Sequence, residues 1–255
     1  VSDDVLANLS VDQVASFYNR LADVVEKNKG SVRVSLAAIL LRQWLRNRSP
    51  NSNYEFDPPE HLKIQTDLVK VLKYHREVFL TEKKARIGED EKWAGLIPRL
   101  QGKGHPKWEG QGELLMEYQS LVEIPLRYQI TGSDADKDIL YALHGFQLKS
   151  KVGISLTTPL SANPVGVRFT RFETQVIDLY DWDYSEHLTV PNPDFGRTEP
   201  YAVAPTSKTV VVYHKNAERL EKANLAAPYN AKSKFWTIVD ITIAGPAQIN
   251  PSKSI

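Results

Sequence analysis

The chain contains no cysteine and a single methionine in 255 residues. Without thiols there are no disulfides, no thiolate zinc sites and no cysteine nucleophile, a condition that suits either redox compartment. Long apolar runs are missing as well. The longest candidate, "VSLAAILL", falls far short of the roughly 18 to 20 residues that cross a bilayer, and no charged-apolar-small leader pattern opens the sequence. Charge of one sign is lacking too: 32 Lys+Arg against 31 Asp+Glu leave a net charge of +1. No global field therefore draws the protein onto nucleic acid or an anionic membrane, and partners have to be sought at local sites.

Several motifs are also absent. The Gly-rich stretch "GKGHPKWEGQG" lacks Walker spacing and its Lys-Ser/Thr ending, which argues against a nucleotide-binding loop. His61, His75 and His105 are scattered, with no H-E-x-x-H pair to make a zinc site. Ser155, Ser161 and Ser207 lack the G-x-S-x-G elbow of a serine hydrolase.

What is present divides the chain in two. The first hundred residues carry helical periodicity. In "SVDQVASFYNRLADVVEKN", Ser10 and Gln13 form a capping box ahead of Val14, Phe17, Leu21, Val24 and Val25, and Gly30 closes the helix. A second helix, "SLAAILLRQWLRNR", ends before Pro50. A third, "EHLKIQTDLVKVLKYHREVFLTEKKAR", starts after Pro58 and Pro59.

From about Leu114 the pattern becomes that of strands: "SLVEIPLRYQI", "FQLKSKVGISLTT", "VGVRFTRFETQVIDLY", "TVVVYH" and "FWTIVDITI", with short helices "SDADKDILYALH" and "NAERLEKANLA" between them. Strands that do not alternate regularly with helices predict an α+β fold. The expectation is an N-terminal helical domain or cap over residues 1–110, then a mostly antiparallel, open-barrel-like β domain over 111–255, joined through "RLQGKGHPKWEGQGE".

The most chemically loaded stretch is "VIDLYDWDYSEHLTV". In an extended strand Thr174, Val176, Asp178 and Tyr180 share one face, so Asp178 and Tyr180 converge on one pocket; Asp181 joins them only if the chain turns just after Tyr180. His187 lies one loop away. Two hard oxygen ligands, Asp178 and Asp181, suit Mg²⁺ against a phosphate, and a nearby histidine can exchange a proton with an attacking or leaving oxygen. The same aspartates, with Asp183, could hold a structural Ca²⁺. The plain alternative is a polar strand end whose aspartates bond backbone amides and whose aromatics cover the core edge.

The run Asp178-Leu179-Tyr180-Asp181 followed by His187 resembles the active-site motif D-x-Y-D-x(5)-H-R of the colicin M family. Those bacteriocins are Mg²⁺-dependent hydrolases that cleave the phosphoester between undecaprenol and pyrophosphate in lipid II, a peptidoglycan precursor, in the periplasm of a target bacterium. The resemblance implies catalytic roles for Asp178, Tyr180, Asp181 and His187, a metal role for Asp178 and Asp181, Mg²⁺ as cofactor, lipid II at a membrane surface as substrate and an immunity protein as partner. Leu188 stands where the family has arginine, and Arg168, Arg171 or Arg197 could supply that charge instead. The helical front piece and β-rich rear are similar in architecture to antibacterial effectors delivered by type VI secretion.

Other candidates are His144, at a helix end before Gly145, as a base or phosphate contact or simply a helix cap, and His214 with Lys215 at a strand-to-helix junction as an anion site. Lys215 is the better of these two for neutralising charge. Trp182, Tyr184, Phe195 and Tyr201 form an aromatic set that could line a groove or pack. A non-enzymatic, pore-promoting toxin and a secretion-associated adaptor are the alternative functions.

Overall fold

The computed structural model describes residues 4–65, 114–124, 126–156, 165–237 and 247–249. The fold is α+β, with helices first and then mostly antiparallel strands. By contacts the chain forms two compact units, the first made of Val1–Leu62, Leu121–Gln147 and Val176–Lys234, the second of Lys63–Ser120, Leu148–Gln175 and Phe235–Ile255. This grouping differs from a single cut near residue 110, a position that lies outside the described residues. The N-terminal helices belong to the same unit as residues 176–234, because those later segments cover their apolar faces.

In the first unit, α1 (Val11–Lys27) begins at the expected capping box, in which Ser10 Oγ accepts from the Gln13 amide and Gln13 accepts from the Ser10 amide. It buries Val14, Phe17, Tyr18, Leu21 and Ala22 and ends at Asn28, two residues before Gly30. Gly30 takes φ +61, and a Cβ there would lie 2.2 Å from Asp134 Oδ2, so the bend tolerates only glycine comfortably.

Helix α2 (Leu36–Arg46) is capped twice over. Ser35 Oγ accepts from the Ala38 amide, and the buried Asp138 carboxylate accepts from Ser35 Oγ at 2.6 Å and from the Leu36 amide at 2.8 Å. A carboxylate at a helix start satisfies otherwise unpaired amides and complements the helix dipole.

Strand β1 (Ser52–Phe56), which the sequence reading passed over, pairs in parallel with β7 (Tyr229–Ser233). Helix α3 spans Glu60–Gln65; the rest of the expected third helix, the Gly-rich joint, His75 and His105 lie outside the described residues.

Strand β2 (Leu114–Glu123) stops short of the expected run. Residues Tyr128–Thr131 instead form a one-turn helix, α4, whose Thr131 amide donates to the Arg127 carbonyl. Pro125 interrupts that sequence and cannot donate to a strand ladder. Helix α5 (Asp134–Leu143) leads into β3 (Gly145–Leu156), and β4 (Val165–Tyr180) follows.

Two further short strands, β5 (His187–Pro191) and β6 (Thr209–Tyr213), make an antiparallel pair of their own. Helix α6 (Lys215–Lys222) ends through Ala223 and Asn224, the latter at φ 56. The larger sheet has strand order β1-β7-β4-β3-β2, with β4 antiparallel to β7. Among the described residues no pairing joins β1 to β2, so this sheet is open and not a closed barrel.

The core of the first unit is aromatic: Phe17, Tyr18, Trp44, Phe146 and Tyr229 are fully buried or nearly so. Tyr229 donates to the Leu40 carbonyl at 2.9 Å and pins β7 to α2. In the second unit β4 pairs antiparallel with β8 (Trp236–Thr237) and β9 (Ala247–Ile249). There Ser150 and Thr174 share a buried hydrogen bond at 3.1 Å.

Candidate functional site at the end of β4

Alternation along β4 is as the sequence implies: Thr174, Val176 and Tyr180 are buried, Asp178 is half-buried and Leu179 is exposed. Asp178 stands opposite Ala231 of β7 and Tyr180 opposite Tyr229, whose ring stacks on it at 5.2 Å and 18°. The strand stops at Tyr180 because the next aromatic ring leaves the ladder. Trp182 packs against Tyr18 at 5.7 Å, Trp44 at 5.4 Å and His214 at 4.8 Å.

A tight turn follows. Asp183 Oδ1 accepts from the Ser185 amide at 3.0 Å and its hydroxyl at 2.6 Å, and the Glu186 amide donates to the Asp183 carbonyl at 2.9 Å. This self-bonding aspartate reverses the chain and delivers His187 to the start of β5, where its ring meets Tyr213 at 5.5 Å.

The result is a cavity of about 620 Å³ lined by Asp178, Tyr180, Asp181 and His187 together. The chain leaves the ladder after Tyr180 and turns only at residues 183–186, and Asp181 lines the same cavity as Asp178. His144 and His214 also line it, as does Leu188. His144 itself takes φ 50 at the end of α5, so the left-handed residue there is the histidine, and Gly145 already begins β3.

Lys215 is not among the lining residues. Its Nζ lies 3.1 Å from the Asp4 carboxylate and over the Tyr213 ring. Arg171 is part of β4 in the second unit, and its side chain lies outside the described residues, as does that of Arg168. Arg197 lies 3.8 Å from Asp194 and from Glu199 and lines a different hollow.

The electrostatics of the cavity are acidic and poorly compensated. Burial, reinforced by the Asp181 carboxylate, pushes the Asp178 carboxyl up to about 8. Asp181 is raised by its own burial and by Glu221, while Asp183 is held low by its bonds to Ser185. Burial and the nearby Asp178 raise the Tyr180 hydroxyl. Among the described residues no Lys or Arg lines the cavity.

His214 Nδ1 lies 2.9 Å from the Asp183 carbonyl, which can only accept, so Nδ1 carries the proton. Its Nε2 is buried with no hydrogen-bond partner among the described residues, and burial lowers its basicity.

Sequence reasoning did not find Glu221. It reaches across from α6 to accept from Trp44 Nε1 at 2.8 Å and from the Tyr184 hydroxyl. No local motif marks it, since its importance comes from a fold contact roughly 40 positions from the strand end. Of the aromatic set, Trp182 packs inward, while Tyr184, Phe195 and Tyr201 are exposed.

Among the described residues there is no group of three or more His, Asp or Glu side chains arranged to hold a metal. Mg²⁺ does not need one, because it keeps several waters and is commonly bound by one or two carboxylates together with substrate phosphate. Asp178 and Asp181, both raised chiefly by burial, line the same cavity and are oxygen donors of the kind this ion takes. Comparison with known proteins returns no matching family model, no matching curated protein and no matching solved structure.

Proposed function

We propose that this cavity is the active site of a phosphoester hydrolase, and that the protein is an antibacterial toxin acting on lipid II in the manner of colicin M. The observation that carries the reading is the meeting of Asp178, Tyr180, Asp181 and His187 in one cavity from separate positions along a strand, a turn and a second strand. A polar strand end that served only to cap β4 would have no need to gather a second carboxylate and a histidine around an open space.

In this reading Asp178 and Asp181 would hold Mg²⁺, which when bound would supply Lewis-acid stabilisation of charge on the phosphate oxygens. Tyr180 orients the substrate phosphate. His187 exchanges a proton with the attacking water or the leaving oxygen, from an exposed position at the start of β5. Leu188, in the place of the family's arginine, puts an apolar side chain on the wall and offers the phosphate no charge.

A delivered effector of this kind would act in the periplasm of a competitor, carried there by a type VI-like machine, and would be matched by an immunity protein. No helix among the described residues is long and apolar enough to cross a membrane.

The test is incubation of the purified protein with lipid II and Mg²⁺. Release of the pyrophosphate-linked disaccharide peptide is expected, and its loss in Asp181→Ala with the fold intact. A folded protein that releases none at high concentration overturns the proposal, and depolarisation of membranes without lipid II loss transfers it to a pore-promoting toxin.

A further inference from the structure

A second cavity, of about 520 Å³, opens in the same unit and, unlike the first, has lysines among its lining residues. Lys29 from the end of α1, Lys137 from α5 and Lys208 ahead of β6 line it, over an apolar floor that includes Val25, Val190 and Pro191. Its acids are already engaged. Asp138 accepts from Ser35, from the Leu36 and Ala37 amides and from His61 Nε2 at 2.7 Å. Asp134 accepts from the Ser31 amide at 2.8 Å and its hydroxyl at 2.9 Å, bonds that hold its carboxyl below the usual range.

Of the lysines, Lys29 is paired with Glu26. Lys137 feels Asp134 one helical turn back, without an ion pair to it, and Lys208 has no ion pair among the described residues. The hollow is therefore mixed in charge: Asp134 and Asp138 are held by hydrogen bonds, while Lys137 and Lys208 make no ion pair among the described residues. Tyr141 lines both this cavity and the acidic one, and its hydroxyl reaches toward the Thr189 carbonyl at 3.4 Å. The Gln129 side chain donates to the same carbonyl at 2.9 Å.

We propose that the lysine-lined cavity binds an organic anion, a carboxylate, sulfonate or phosphate carried on an apolar body, with Lys137 and Lys208 meeting the charge and the Val25, Val190 and Pro191 floor taking the body. The pairing of apolar floor and unspent cations is what such a ligand needs: area burial supplies affinity and the charges supply orientation. The site stands whether or not the acidic cavity is a hydrolase, because the lysines it depends on line only this cavity and its probe is different.

The experiment titrates the full chain with 1-naphthalenesulfonate by calorimetry, with 1-naphthol and inorganic sulfate as separate arms. The expected result is saturable one-to-one binding of the sulfonate, weaker at high salt, and weak or no binding of either fragment alone. The double variant Lys137→Gln, Lys208→Gln should lose about tenfold or more in affinity, and Lys137→Arg, Lys208→Arg should keep it, which separates charge from folding. Asp178→Asn should leave it unchanged. No saturable binding, equal affinity in the Gln double variant, or loss in Asp178→Asn overturns the proposal.

Discussion

Asp194 and Asp178 are both aspartates withdrawn from water in the same unit, and the company they keep is different. Asp194 is fully buried and satisfied: Arg20 Nε and its terminal nitrogen meet the two carboxylate oxygens at 2.8 and 2.9 Å, and the Val203 amide donates to one of them at 2.9 Å. Asp178 is buried beside the Asp181 carboxylate, with no Lys or Arg among the described residues lining its cavity, and burial first and Asp181 second raise its proton affinity. A carboxylate surrounded by donors is a structural strut. One buried beside another carboxylate stores unfavourable charge, which a ligand, a metal or a proton can relieve. The contrast separates framework from chemistry without reference to any motif.

The largest effect expected from this contrast is at the strut. Asp194→Ala leaves Arg20 without its partner and the Val203 amide without an acceptor, and should cost about 3 kcal/mol or more of folding stability. Urea denaturation measures it. A loss under about 1 kcal/mol would mean that the two aspartates are not different in kind.

At the other pole, Asp178→Asn should cut lipid II hydrolysis by about 100-fold or more, roughly 2.7 kcal/mol of transition-state stabilisation, while leaving the thermal midpoint at pH 8 unchanged or raised. A variant that unfolds instead would place Asp178 with Asp194.

The pH dependence sharpens the same point. The folded protein holds the Asp178 proton up to about pH 8, whereas the unfolded chain releases it near 3.8. The native state thus binds more protons across that interval. The stability contributed by this group is complete below the lower value and is lost as pH rises toward the upper one. Asp178→Asn should flatten that slope in melts taken between pH 4 and 8. Mg²⁺ should end the loss at a lower pH and so make it smaller, because a cation favours the charged form in the folded protein; melts indifferent to Mg²⁺ would count against the metal role.

Much of this site could be read from local pattern. Ser10 and Gln13 announced α1, period-two alternation put Asp178 and Tyr180 on one face, and the polar run after Tyr180 gave the turn. What could not be read is what lies far along the chain. Glu221, Trp44 and Tyr18 meet the strand end only because α1, α2 and α6 pack around Trp182. Short strands such as β1, β5 and β7 were also missed, since "SNYEF" and "YNAKS" have no β-branched residue and "HLTVP" is too short to show alternation, so their extension is set by the strands they pair with. His187 shows both sides of this. Its spacing from Asp181 was visible, but its place in the cavity depends on pairing with Tyr213.

The smallest expected effect lies between the two poles, at Glu221. Its carboxylate is partly satisfied, by Trp44 Nε1 and the Tyr184 hydroxyl, and still raises Asp181. Tyr184 is 41% exposed, so in Tyr184→Phe water can replace the lost donor. The expected cost is about 0.5 to 1 kcal/mol. Glu221→Gln keeps an acceptor for Trp44 and removes the charge beside Asp181, which should lower the Asp181 titration in carboxyl-carbon NMR. A double-mutant cycle of the two substitutions should show coupling, because the tyrosine bond is strongest to a charged partner. Additive effects would mean that Glu221 belongs with the struts, and that the acidic character of the site stops at Asp178, Asp181 and their turn.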